Sequence, residues 1–176
     1  MSPITEFRGA HRAGTHDVTL RQQAAARIVS QHPARVGGAD FMYAIKVAVS
    51  DLTAATFSFP SQKTMYGGKQ IAAGDTIYLF DSENEGGAGL FARGVVLTVT
   101  AVRKKPGLER QTPRVNITVS QTARATRALG RAELKAHAGP AENGPEAELH
   151  FKFYRQATNK IIGLSGAAAA MLERCF

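Results

Sequence analysis

Apolar and polar residues begin to alternate at Met42 and, with interruptions, continue to do so up to residue 164. In "MYAIKVAVS" Tyr43, Ile45, Val47 and Val49 fall on one face and Ala44, Lys46 and Ala48 on the other, the two-residue period of a half-buried strand. "TIYLFD" at 76–81 is a short apolar strand introduced by the turn pair Gly74-Asp75. "LFARGVVLTVTAV" at 90–102 is long, and its internal Gly94 predicts a bulge or bend. "RVNITVS" at 114–120 alternates with Val115, Ile117 and Val119 inward. The same period in "ELHFKFYR" at 148–155 predicts a strand with Leu149, Phe151 and Phe153 inward and His150 in solvent, and "KIIGL" at 160–164 adds a short one. Helical signals are fewer. Residues 122–137 are helix-permissive, and Ser165 is suited to cap an alanine-rich closing helix. Residues 138–147 read as a surface loop. The pattern predicts an α+β fold, a small curled mixed sheet or pseudo-barrel of five to six strands with peripheral helices.

Residues 1–40 have a different texture. They are polar and lack strand alternation, and a short helix over 18–30 is broken by "HPARVGGAD". They predict an N-terminal extension dispensable for folding, with Met42 as a candidate natural start and residues 41–176 as the domain proper. No apolar run approaches the length of a bilayer span, so no membrane contact is expected. The lone cysteine, Cys175, has no internal partner, which favours a reducing, cytoplasmic setting and an inert thiol.

Charge sharpens the picture. The chain carries a net +8, and nine Lys/Arg between Arg103 and Lys135 against Glu109 and Glu133 supply +7 of it. A localised basic surface favours a polyanionic partner, nucleic acid first, with a solvated charged face as the alternative. Arg124, Arg127, Arg131 and Lys135 are spaced to form one stripe on a helix, suited to phosphates; Gly130 would weaken that helix. The five histidines show no metal-ligand spacing, and no metal, cofactor, P-loop or catalytic triad is expected.

Two stretches, "FPSQKTMYGGKQIAAGDTIYLF" and "GLFARGVV", resemble the PUA-like superfamily, in particular its EVE and ASCH branches. The resemblance covers about three quarters of the chain. It implies a Lys/Gly loop leading through a Gly-Asp turn into a strand, a ligand cleft at one end of a small barrel, and binding of RNA or of a modified base flipped from a nucleic acid. The chain has no tryptophan, so a tryptophan cage is excluded. "GGKQIAAGD" also lacks the acid and arginine of the ASCH signature.

Candidate site residues follow from their chemistry. On the strand at 90–102, Phe91, Arg93, Val95, Leu97 and Val99 share the face predicted to point inward. A guanidinium there must either pair with Asp81, Glu83 or Glu85 across the turn or serve a ligand as a donor fork. Ser82 stands beside it, and Gly86, Gly87 and Gly89 would permit close approach. In the loop 61–70, Lys63 and Lys69 are cations, Thr64 a hydroxyl, and Tyr66 a stacking face beside Gly67 and Gly68, with Phe59 nearby. Tyr154, Arg155, Gln156, Thr158 and Asn159 carry side chains of base-reading type. These residues predict a non-enzymatic nucleic-acid-binding module, of RNA or DNA. Two alternatives remain: a hydrolase of a modified nucleoside using Lys63 or Lys69, Thr64 and Glu83, and a protein-interaction domain.

Overall fold

The computed structural model describes residues 42–107, 109–139, 143–155 and 159–176. The extension read over 1–40 lies outside the described residues, as do Gln156 and Thr158. Six strands, β1 (Met42–Val47), β2 (Thr56–Met65), β3 (Thr76–Asp81), β4 (Gly89–Ala101), β5 (Arg114–Arg124) and β6 (Lys160–Gly163), close into a barrel in the order β1-β3-β4-β5-β2-β6. β1 runs parallel to β3 and β2 parallel to β6; the other four pairings are antiparallel.

Alternation sorts the side chains as expected. Tyr43, Ile45, Ile77, Leu79, Val115, Ile117, Val119 and Ile161 fill the interior together with Phe57 and Phe59. Each such side chain contributes about 1.5–3 kcal/mol by leaving water. Ala44, Tyr78, Phe80 and Ile162 point to the opposite face. There they meet Leu134 of α1 (Arg131–Leu134), Leu149 and Phe153 of α2 (Pro145–Tyr154), and Met171 and Leu172 of α3 (Gly166–Glu173). β1, β3 and β6 are therefore apolar on both faces, which explains the unbroken run in "TIYLFD". Ser165 caps α3, its hydroxyl accepting from the Ala168 N–H at 3.1 Å.

Four expectations are corrected. Residues 148–155 are helical through Tyr154, not a strand. Pro145 starts α2, Glu146 and Glu148 stand in its first turn, and Leu149 and Phe153, four apart, are both buried while Phe151 is exposed. The helix expected over 122–137 is instead the end of β5, then a turn and the single-turn α1. Pairing of Ala123 with Arg93 and of Arg124 with Ala92 claims the first residues for the sheet, and Glu133 accepts from the Gly130 N–H at 2.7 Å to start α1 there. The stripe Arg124–Arg127–Arg131–Lys135 thus does not form on one helix. Third, much of the stretch read as loop at 61–70 belongs to β2. Fourth, the inward face of β4 is not the one read for Arg93: the bulge expected at Gly94 is present, register shifts follow Arg93 and Val96, and the inward phase runs through Ala92 and Val96, with Phe91 and Val99 packed against the interior. Arg93 consequently sits on the outer face, paired with Tyr78.

A glycine fixes the turn after β2. A Cβ on Gly68 would lie 2.3 Å from the Ile161 carbonyl oxygen, so the 3-10 turn Gly68–Gln70 can press against β6 only without a side chain. Gly68→Ala is expected to lower unfolding free energy by about 1–3 kcal/mol, the usual cost of overpacking. Guanidinium denaturation measures it, and an unchanged midpoint would show that the turn moves freely.

Candidate functional site

The strand register brings three lysines together. Lys160 on β6 stands opposite Lys46 of β1 on one side and Lys63 of β2 on the other. Lys46 and Lys160 are buried. Lys46 Nζ donates to the Phe153 carbonyl at 3.2 Å and lies 4.5 Å from the centre of the Tyr154 ring. Lys160 Nζ lies 5.5 Å from the centre of the Tyr66 ring. Burial pushes both amines below the usual lysine range. At Lys46 the charge of Glu83 opposes the shift and that of Arg131 adds to it; at Lys160 the charges of Lys46 and Lys63 add to it.

Glu83 organises the neighbouring turn. Its Oε1 accepts from the Tyr154 hydroxyl at 2.5 Å and from the Arg131 N–H at 2.9 Å. Burial, then the hydrogen bond and charge of Glu83, raise the Tyr154 phenol far above its ordinary value. The Arg131 guanidinium donates to Asn84 at 2.5 Å and covers the Tyr154 ring at 5.3 Å. Ser82 donates to Asn159 Oδ1 at 3.1 Å, and Asn159 Nδ2 donates to Glu85 at 2.8 Å. The turn after β3, the start of α1 and the end of α2 form one polar network.

Beside this network opens a cleft of about 680 Å³, whose walls include His137, Asn143, Glu148, His150, Phe151 and Arg155. Phe151 is 42% exposed, the one large hydrophobic so exposed among the described residues. Its ring lies 5.7 Å from that of Tyr66, and the Arg155 guanidinium sits 5.1 Å from its centre. A flat apolar face, a planar cation and amide and imidazole donors are the components that hold a nucleobase.

Of the residues expected at the site, Arg155 lines the cleft, Tyr66 touches it through Phe151, Ser82, Glu83 and Tyr154 belong to the polar network, and Lys63 stands opposite Lys160 in the sheet. Phe59 does not; it lies in the barrel interior, stacked on Phe57 at 5.8 Å. Thr64 registers with the interior residue Ile161 and donates to the Pro113 carbonyl at 3.1 Å. With Glu83 engaged by Tyr154 and Arg131, the hydroxyl and acid of the hydrolase alternative have separate partners. Gly67 takes φ 86° and Gly68 packs on β6, while Lys69 is exposed on the turn between them and Ile71. The room expected at Gly87 and Gly89 is filled by the chain itself: a Cβ there would come within 2.5 Å of Asp81 and Leu129 respectively. Arg124 donates to the Leu52 carbonyl at 2.8 Å, and Arg127 and Lys135 are exposed.

Arg93 pairs with none of Asp81, Glu83 and Glu85. It forms an ion pair with Glu173 of α3 and covers the Phe176 ring at 5.3 Å. Tyr78 donates to the other Glu173 oxygen at 2.6 Å. Burial would raise the Glu173 carboxyl, but the bonds from Tyr78 and Arg93 hold it below its ordinary value. Arg93 anchors the last helix. Sequence reasoning missed Lys46, Lys160, His150 and Phe151 as site residues. Its available signal was a lysine inside two apolar strands, "AIKVAV" and "KIIGL".

The fold is a closed barrel similar to that of the DUF55 domain of a solved human protein. Three solved structures carry that statement. A hypothetical protein from Leishmania major superposes with a TM-score of 0.53 at 13% identity, over 77% of this chain and 94% of that one. The DUF55 domain of human thymocyte nuclear protein 1 gives 0.51 at 13% identity, over 74% and 95%. The human THYN1 protein in complex with 5-methylcytosine containing DNA gives 0.51 at 12%, over 76% and 96%. No protein-family model and no curated protein sequence matches the chain.

Two outcomes follow from the geometry. Because burial lowers the Lys160 amine, the unfolded state binds more protons between that lowered value and about 10.4, so stability rises with pH there. Lys160→Met is expected to flatten that rise of stability with pH below about 10.4, read by denaturation at each pH. Arg93→Met should fold and lose about 0.5–1 kcal/mol, a melting point about 2–4 °C lower, because the pair with Glu173 is partly exposed. Complete loss of folding would assign Arg93 a larger role.

Proposed function

We propose that the protein is a nucleic-acid-binding module that receives a single base in the cleft beside Phe151. The observation that carries the reading is Phe151 itself: an exposed phenyl ring on the wall of a cleft, faced by Arg155 and adjoining the Lys46–Lys160–Lys63 row. Stacking on such a ring holds any base, while Asn143, His137 and His150 supply edges for discrimination. The fold shared with the human THYN1 protein solved with 5-methylcytosine containing DNA supports 5-methylcytosine as the first ligand to test. Tyr66 braces the stacking face, and Glu83 with Tyr154 fixes the end of α2 from which Phe151 and Arg155 project.

The test is fluorescence anisotropy with single-stranded oligonucleotides carrying one cytosine, one 5-methylcytosine or one abasic position. Phe151→Ala should weaken binding of the two base-containing strands by about 5- to 150-fold, equivalent to about 1–3 kcal/mol of stacking, and leave the abasic strand unaffected. Equal affinity of the unaltered protein for all three strands would overturn the reading.

A further inference from the structure

A second concavity, of about 500 Å³, lies between β2 and the connection from β4 to β5. Five cations line it: Lys63, Arg103, Lys104, Lys105 and Arg114. No acidic side chain is on its walls; Glu109, the acid of that connection, is not among the lining residues. Five like charges around one groove repel one another, and nothing on the walls neutralises them. The groove's walls are nonetheless braced. The Lys105 N–H donates to Gln111 Oε1 at 2.8 Å and Gln111 Nε2 returns a bond to the Lys105 carbonyl at 2.7 Å, closing the base of the connection. Across the groove, Arg114 donates to the Ser61 carbonyl at 2.5 Å. Ser61 is held at φ 53°, with its N–H bonded to Asn116 Oδ1 at 2.8 Å. A left-handed backbone at a non-glycine residue is costly and persists where surrounding structure enforces it.

We infer that this groove is a binding site for the phosphodiester backbone of the strand whose base enters the cleft, and the inference rests on that reading. Lys63 connects the two: it lines the groove and is the register partner of Lys160. A membrane surface is the poorer occupant, since a concave site with no exposed apolar ring has nothing to insert into lipid. The site is also distinct from Arg124, Arg127, Arg131 and Lys135, none of which lines it.

Arg103, Lys104 and Lys105 are exposed, so their joint replacement by glutamine should leave the fold intact, as the melting temperature would verify. Log-affinity for a fully abasic single-stranded phosphodiester is measured against log salt. The triple variant is expected to have a slope smaller in magnitude by about 2 and an affinity about 50-fold weaker at 0.15 M salt, from three lost contacts at about 0.7 each. An unchanged slope would overturn the inference, as would an equal loss of affinity for anionic phosphatidylserine vesicles. Should the triple variant unfold, Lys104→Gln with Lys105→Gln serves, with an expected slope change of about 1.4. The two readings fail differently. If no base enters the cleft, base-containing and abasic strands bind alike but the slope still responds to the variant. If the groove is idle, the slope is constant while Phe151→Ala still discriminates the strands.

Discussion

The carboxylate of Glu83 is the point on which the site depends. β1 carries a lysine into an apolar layer, and an ammonium removed from water is costly unless an opposite charge stands near it. Glu83 supplies that charge to Lys46, and the same oxygen that accepts from the Tyr154 phenol also accepts from the Arg131 N–H. One side chain thereby joins the turn after β3 to the first turn of α1 and the last turn of α2. The turn is itself pinned, the Ser82 N–H donating to the Val47 carbonyl at 3.0 Å and the Gly87 N–H to the Ser82 carbonyl at 2.9 Å. Removing the Glu83 charge would leave Lys46 buried with the like charge of Arg131 near it and the opposing charge of Glu83 gone.

The barrel was legible because period-two alternation is a direct consequence of a sheet with two different faces. β5 shows it most clearly, with Val115, Ile117 and Val119 where the alternation puts them, whereas β3 was read from an unbroken apolar run bounded by a turn. α2 was misread because Leu149 and Phe153 satisfy both periods at once, four apart as well as even-spaced, and Phe151 between them completes the strand pattern. Only Pro145 and the Glu148–Lys152 pair favour the helix, and both lie outside the hydrophobic signal. Arg93 was assigned the wrong face because each bulge shifts the phase, and a sequence shows that a glycine permits a bulge without showing which neighbour turns over. The site was half legible. Tyr66, Glu83 and Tyr154 of the candidate site could be named from their chemistry, whereas Lys46 and Lys160 are brought together by strand registers that no local pattern encodes.

Among the described residues, the two non-glycine positions with left-handed backbone are Ser61, at the bulge in the middle of β2, and Tyr66, the residue that follows the strand. Such a conformation costs each about 1–3 kcal/mol. Ser61 leaves the barrel's register at the bulge after Phe59, and Tyr66 turns the chain towards Gly67 and Gly68. Between them lies Lys63. The strain therefore sits in the short segment that separates groove from cleft, and the hydrogen bonds of Asn116, Arg114 and Gly163 to its ends hold it there.

The closed strand order has a consequence for how any partner can be recognised. β1, β3 and β6 are hydrogen-bonded to a neighbour on both sides, so recognition by strand addition is closed to that part of the barrel, whereas residues 56–62 of β2 and 97–101 of β4 pair with β5 alone. Around those three strands specificity must be written in side chains and connecting loops. Substitutions there can retune the ligand without disturbing the hydrogen-bond ladder, so the architecture separates what holds the protein together from what it selects.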